Sequence, residues 1–435
     1  MTRQSLLLTA AVAVLIVSLN TTSPAEDNLQ LGGNAARNNV STTAKNLPTE
    51  WDVGQFDYKT GAWKKETAQG VAWASRIGSE CYATPIISGD KVFITTNNDA
   101  ERVADHPRSE DLGVLLALDR ATGELLWQLS VPKLEDSMLD WPQQGICSNP
   151  AVEGDRLWVV TNRNELLCLD TEGFLDGEND GPVTDEPSDA KTEGDIVWRL
   201  DMMKELGAVQ HNMASCSPAL HGDAIFVSTS NGTDQNHDEV VKPEAPSFVA
   251  VDKKTGKLIW SDNSPGENIL DGQWSSPAVG VLGGMPQAIF AGGDGWLYSF
   301  RADSAKDGKP ELLWKFDCNP KNSEWDDGYG DRNYLVATPV IADGLIYIAT
   351  GQDPEMGEDI ATLWCIDPTK RGDVSPELVV DADGHPVPPR RDMQVDESKG
   401  EKVIANPNSA AVWSYSGNDA DGNGKLDFEE EYHRT

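Results

Sequence analysis

The 435-residue chain is short of positive charge: 35 Lys and Arg stand against 71 Asp and Glu, a formal charge of −36 at pH 7. A field of that sign repels phosphodiester backbones and anionic headgroups, so a general nucleic-acid or membrane-surface role is excluded. Cysteine is scattered. Cys81, Cys147, Cys168, Cys216, Cys318 and Cys365 include no adjacent pair and no Cys-x-x-Cys, which removes the zinc-ligand spacing and the thioredoxin-type redox motif. They remain compatible with disulfides in an oxidising compartment, in more than one pairing. Gly-x-Ser-x-Gly and His-Glu-x-x-His are also missing, and with them two common hydrolase signatures. Only one long apolar run occurs, Leu6 to Leu19, shorter than the roughly 20 residues of a spanning helix. Arg3 precedes it and Ser23-Pro24-Ala25 follows, so residues 1–25 read as a secretory signal cut after Ala25. The mature chain is then expected to be soluble, in the periplasm or outside the cell. No Cys follows that cut, so no lipid anchor is expected.

What the chain does have is a repeat. Ala117-Leu-Asp-Arg-Ala-Thr-Gly-Glu-Leu-Leu-Trp127 returns as Ala250-Val-Asp-Lys-Lys-Thr-Gly-Lys-Leu-Ile-Trp260. Each copy reads as a strand end, an Asp-x-x-Thr-Gly turn, and a second strand carrying a Trp of the buried type. A Ser/Thr/Asn-Pro step opens a strand at Thr84-Pro85, Asn149-Pro150, Ser217-Pro218, Ser276-Pro277 and Thr338-Pro339. In four of these units a Gly/Asp turn follows, at Gly89-Asp90, Gly154-Asp155, Gly222-Asp223 and Asp343-Gly344, and then a β-branched strand. The units close on Trp127, Trp198, Trp260, Trp314 and Trp413. A four-stranded unit of roughly 60 residues cannot bury both faces alone, so such units must stack around an axis. The fold expected is all-β, a propeller of four-stranded antiparallel blades over residues 71–416, preceded by an N-terminal segment, 26–70. Val71-Ala72-Trp73 reads as an orphan closing strand. Five complete units and a partial one fit a ring of about seven or eight from which the last units are missing, unless strands from 26–70 fill the gap. The acidic stretches 101–111 and 176–189 and the Pro-rich 376–400 segment read as solvated insertions.

Thr84-Pro85, Gly89-Asp90, Ala117-Leu118-Asp119, Thr122-Gly123 and Trp127 together resemble a PQQ-like repeat, over about residues 70–415. The pattern is similar to the tryptophan-docked blades of quinoprotein alcohol dehydrogenases and of BamB-type assembly propellers. Kinship to the dehydrogenases implies a vicinal Cys pair against the quinone, a Trp below it, and a Glu/Asn/Asp set holding Ca²⁺ beside a catalytic Asp. The Cys pair is absent, and Trp274 is a candidate stacking floor or a structural Trp. Kinship to BamB implies a lipid-anchoring Cys that is likewise absent.

Blade-joining loops gather at a propeller's mouth, where ligands usually bind. Six residues before each opening Pro stand Ser79, Gln144, Asn212, Asp271 and Asn333, with Glu80, His211, Gln273, Asp331 and Arg332 beside them. They form either part of a polar ring or caps on their own turns. His211 has no second His or Cys at ligand spacing and reads as a hydrogen-bonded loop residue. Two functions follow: a non-enzymatic binding or assembly scaffold offering its loop face to a protein or peptide, or a PQQ- and calcium-dependent oxidoreductase acting on an alcohol or sugar. In the second, Trp274, Asp271, Asn333 and Asp331 are the cofactor-site candidates, with Asp271 or Asp331 as the base. No catalytic residue is assigned in the first, which is preferred.

The sharpest chemical motif lies in residues 417–435. Asp419, Asp421, Asn423, Lys425 through its carbonyl, Asp427 and Glu430 fall at the ligand positions of an EF-hand loop, with Gly424 at the sharp turn. The residues before it read as a strand rather than a helix, so a weak structural calcium clip is expected. Asp176-Gly-Glu-Asn-Asp-Gly181 opens alike, but its twelfth position is Pro187, which leaves it incomplete. Calorimetry tests the clip: Ca²⁺ should bind the parent at about 10⁻⁴ to 10⁻³ M, and the heat should vanish in Asp419→Ala and Glu430→Gln. Equal heats in parent and variants would remove the site.

Overall fold

The β-branched runs that follow each polar-Pro step pair as five antiparallel sheets in a computed structural model that describes residues 26–417, apart from 46, 101, 327–328 and 353–360. The signal expected over 1–25 and the calcium loop at 419–430 lie outside the described residues. The first sheet comprises Ile86–Ser88, Lys91–Asn97, Leu112–Asp119 and Leu125–Pro132; the second, Ala151–Glu153, Arg156–Val160, Glu165–Asp170 and Ile196–Asp201. Ala219–His221, Ala224–Ser228, Phe248–Asp252 and Leu258–Asp262 form the third. Ala278–Leu282, Met285–Ala291, Trp296–Lys306 and Lys309–Asp317 form the fourth, and Val340–Ala342, Leu345–Thr350, Thr362–Ile366 and Ala411–Tyr415 the fifth. Strand order follows chain order in every sheet, and apolar side chains of successive sheets merge into shared cores. The protein is a β-propeller.

The five closing tryptophans hold one structural position. Across the ladder they face Ala117, Cys168, Ala250, Ser299 and Cys365, all small enough to leave room for an indole. The residue just before each Trp is the extra residue of a β-bulge, which turns the outer strand locally. Trp127 Nε1 donates to Thr171 O at 3.0 Å, and Trp198 Nε1 to Lys253 O at 3.0 Å, each in the next sheet. Trp73 makes the same contact with Arg120 O at 2.9 Å, although residues 71–79 form no strand, in contrast to the closing strand expected there. Its indole docks without a sheet of its own. Trp314 departs from the pattern and donates within its own sheet, to Gln287 Oε1 at 3.0 Å. Trp260 packs on Phe300, with ring centroids 5.6 Å apart, because the fourth sheet has a long hairpin where the first and third have a Thr-Gly turn.

The polar residues of the first four polar-Pro steps are pins between sheets. Asn149 Nδ2 donates to Thr84 O at 2.7 Å, Asn149 N to Ser217 Oγ at 2.9 Å, and Ser217 N to Ser276 Oγ at 2.9 Å. Inside this girdle runs the N-terminal segment, which completes no orphan strand. The residue two after each opening Pro donates its N–H to it: Ile87 to Asn28 O (2.8 Å), Val152 to Leu29 O (2.8 Å), Leu220 to Gln30 Oε1 (3.2 Å), Val279 to Ala35 O (2.7 Å) and Ile341 to Ala36 O (2.8 Å). A segment touching the innermost strand of all five sheets in turn runs at the centre around which they are arranged. Arg37 anchors it, donating to Leu31 O, Ser217 O, Pro218 O and Pro277 O. Burial pushes its guanidinium down to about 10.

The Pro-rich stretch is a packed arm rather than a solvated insertion. Gly372–Asp373 adds a parallel strand to the outer edge of the fourth sheet, and Glu377–Val380 pairs with Lys402–Ala405. All six cysteines stand as thiols, five of them buried. Among the described residues no helix is long and apolar enough to cross a membrane.

Docking of the indoles needs glycine. Gly256 has φ +68°, and a Cβ there would lie 2.6 Å from the Trp198 ring. Gly89 has φ +58° and open space at the same position. Urea melts should therefore show Gly256→Ala losing roughly 2–4 kcal/mol, strain plus collision, and Gly89→Ala about 1 kcal/mol from backbone strain alone. Equal losses would show that the indole contact does not stabilise the fold.

Candidate functional site

In a four-stranded antiparallel blade, the loop leading into the first strand and the loop joining the second to the third emerge at the same end. These two loop sets build a cavity of about 520 Å³. Tyr82, Trp141, Met213, Trp274 and Tyr334 come from loops before first strands, and Gln235 and His237 from the second-to-third loop of the third sheet. The wall is largely aromatic and sulfur-bearing; Cys147 Sγ lies 3.7 Å from Met213 Sδ. Burial pushes the Cys147 thiol up to about 12, so it is a neutral lining group.

Three titratable groups converge at one side of this cavity. His211 Nε2 lies 2.9 Å and His237 Nδ1 3.1 Å from Asp271 Oδ1, and the two imidazole centroids are 5.0 Å apart. His211 and Asp271 are buried, whereas His237 is partly exposed. Burial alone would raise the Asp271 carboxyl, but the two imidazoles outweigh it and hold the group well below the usual carboxylate range. His211 Nδ1 stands 3.0 Å from Thr233 O. A carbonyl only accepts, so this nitrogen carries the proton. Arg391, from the packed arm, ties the loops together: it donates to Ile269 O (2.9 Å), Leu270 O (3.1 Å), His237 O (2.5 Å) and Asp238 O (2.8 Å).

Of the expected polar ring, Asn212 and Asp271 line the cavity, with Trp274 beside them. Trp274 Nε1 donates to His211 O at 3.1 Å, its ring meets Tyr334 edge-on at 5.5 Å, and Gly272 backbone lies close against it. Ser79 bonds Asn97 instead, and Gln144 accepts from Tyr82 Oη at 2.5 Å. Asp331 accepts from Glu324 N at 2.8 Å, and Asn333 donates to Asp331 O at 3.3 Å; both are tied within their own loop. Arg332 is buried against Asp317, 3.3 Å away, which also holds Lys321 at 2.6 Å.

Sequence spacing missed His237, 26 positions after His211, so the expectation that His211 lacks a second histidine fails in three dimensions. The available signal was topological: His211 and Asp271 precede first strands, and His237 lies between a second and a third. All three must therefore reach one end.

Comparison with known proteins agrees with the blades. Residues 111–174 match the family model described as outer membrane protein assembly factor BamB. Residues 111–174 thus carry a PQQ-like repeat within the β-propeller. It is 22% identical over 361 residues to tetrathionate hydrolase of Acidithiobacillus ferrooxidans, covering 70% of this chain and 62% of that protein. Thus the chain spans less than two thirds of that relative's length. Among solved structures it is similar to BamB from Moraxella catarrhalis, with TM-score 0.39, 16% identity and coverage of 78% of this chain and 70% of that one. It is also similar to the quinohemoprotein alcohol dehydrogenase from Comamonas testosteroni, with TM-score 0.38, 12% identity and coverage of 79% and 59%.

The buried ion group around Arg332 has a pH signature. Asp294 Oδ2 accepts from Tyr298 Oη at 2.5 Å, and burial pushes its carboxyl from an ordinary 3.8 up to about 6. Between these values the folded state binds the extra proton, so stability falls as pH rises through the window. The difference corresponds to about 3 kcal/mol. Paired melts at pH 4 and pH 7 should show Asp294→Asn gaining about that much on the parent. A pH-independent difference would place the carboxyl in its ordinary range.

Proposed function

We propose that this chain is an extracytoplasmic, non-enzymatic binding or assembly propeller that seats an aromatic or methionine side chain of a protein or peptide in the mouth cavity. The observation that carries this reading is the cavity wall. Rigid aromatic rings beside Met213 and Met138 form a surface of the kind that supplies binding hot spots, adaptable at the sulfurs and stiff at the rings. The charge of −36 favours a cationic partner and steers it in. The BamB-type repeat and the single apolar leader run fit secretion and an envelope role, and the loop at Asp419–Glu430 would serve as a calcium clip at the C-terminal end.

The alternative, an alcohol-oxidising quinoprotein, fits these residues poorly. Ca²⁺ requires roughly six to eight oxygen ligands, and Asp271, the carboxylate beside Trp274, has its Oδ1 faced by two imidazoles. Trp274 has Gly272 backbone pressed against its ring, and Asp331 and Asn333 are tied within their own loop. After incubation with PQQ and Ca²⁺ and removal of the unbound quinone, the full chain should show its original absorbance.

The binding reading is tested by selecting a random peptide library against the full chain. Aromatic peptides with basic flanks should be enriched, and Trp274→Ala should weaken the selected peptide about 30-fold, a loss of about 2 kcal/mol. No enrichment, unaltered affinity in Trp274→Ala, or a stable quinone spectrum with alcohol-dependent dye reduction would overturn it.

A further inference from the structure

We propose that His211, His237 and Asp271 form a binding site for a divalent transition metal of the Zn²⁺ class, open to the mouth cavity. Unlike the partner reading, this inference rests on the geometry of three side chains and of the loops that hold them.

The first argument is spacing. Ligands about 2.0–2.2 Å from a tetrahedral zinc-sized ion stand roughly 3.3–3.6 Å apart, and Asp271 Oδ1 is 2.9 Å from His211 Nε2 and 3.1 Å from His237 Nδ1, so opening the cluster by a few tenths of an ångström admits the ion. All three ligand atoms lie within 4.8 Å of one another. The second is direction. Although His211 Nε2 and Asp271 Oδ1 are buried and 2.9 Å apart, neither makes a hydrogen bond of acceptable geometry. A cation between them satisfies both lone pairs at once.

The third argument is the layer behind the ligands. His211 gives its Nδ1 proton to Thr233 O, which leaves the Nε2 lone pair aimed into the cluster. Metal-bound histidines are oriented in this way, with the second ring nitrogen on a carbonyl. Thr233 N in turn donates to Asp271 O at 3.0 Å, so one residue fixes both the histidine and the aspartate loops. Gly232 permits that approach: a Cβ there would lie 2.6 Å from the His211 Cβ and 2.8 Å from Asp271 O. Arg391 then clamps the backbone at His237 and Leu270 from outside.

Two imidazoles and one carboxylate suit Zn²⁺, Co²⁺ or Fe²⁺ better than Ca²⁺ or Mg²⁺, which take oxygen. Three protein ligands leave a coordination position free, as in exchangeable rather than purely structural zinc sites. His237 and Asp271 both line the cavity, so that position faces the space beside Trp274 and Met213. A water or a donor atom of a bound molecule would complete the shell.

The test uses the full chain after chelator treatment, titrated with Co²⁺ in the visible and with Zn²⁺ by calorimetry. One ion per chain should bind, with a d–d absorption band from Co²⁺ and a rise in melting temperature. His237→Ala, on a partly exposed loop, and Asp271→Asn, nearly isosteric, each alter a direct ligand and should weaken binding by more than the about 10- to 100-fold that loss of an outer-shell partner costs, while melting cooperatively without metal. If either fails to fold, His237→Gln gives the same reading. His385→Ala breaks an exposed group, Asp381, Asp383 and His385, and should leave the Co²⁺ band unchanged. Absence of the band and heat in the parent, or parent-like affinity in His237→Ala and Asp271→Asn, would overturn the site.

Discussion

The backbone N–H two residues after each opening proline is the group on which the rest of the architecture depends. The first strand of a blade lies at a sheet edge, and those of the first three and the fifth sheets are only three residues long. An edge N–H turned towards a buried axis costs free energy unless something accepts it. Residues 28–36 supply that acceptor five times, and Arg37 returns the favour by donating to carbonyls of the third and fourth units. The polar side chains of the Pro steps then link one inner strand to the next. The centre is therefore a hydrogen-bonded hub, and the blades are held by it as much as by their shared apolar cores.

The two ends of the blades do different work for a topological reason. Turns between first and second, and third and fourth, strands lie at one end, where Gly123 and Gly256 receive the indoles of Trp73 and Trp198. The opposite end collects the remaining loops, is free of that docking, and so can carry chemistry. Arg391 joins the two. Its arm leaves the third strand of the fifth sheet, runs along the outer edge of the fourth, and reaches the mouth loops.

Much of the fold was legible because its signals are local. A Pro that starts a strand, a Gly/Asp turn and a Trp at fixed spacing each act within a few residues, and their recurrence is visible without coordinates. The small residue opposite each Trp was present too, as Ala117, Cys168, Ala250, Ser299 and Cys365, but register was needed to see it. The same register explains two cysteines as small packing residues rather than disulfide partners. The site was half legible. Asp271 and Asn212 were picked by blade register and Trp274 through the quinoprotein resemblance, whereas Asn333 and Asp331 share that register or its neighbourhood and turn back into their own loop.

By itself the sequence determined the all-β repeat, the position of each closing tryptophan and the acidic character of the surface, since all three depend on composition and short-range spacing. The tertiary structure alone decided that residues 28–38 lie at the centre, that a Pro-rich arm packs against the fourth sheet, and that His211, His237 and Asp271 meet. Those contacts join residues tens to hundreds of positions apart. Only the closure of loops around a common axis fixes which of them come within reach.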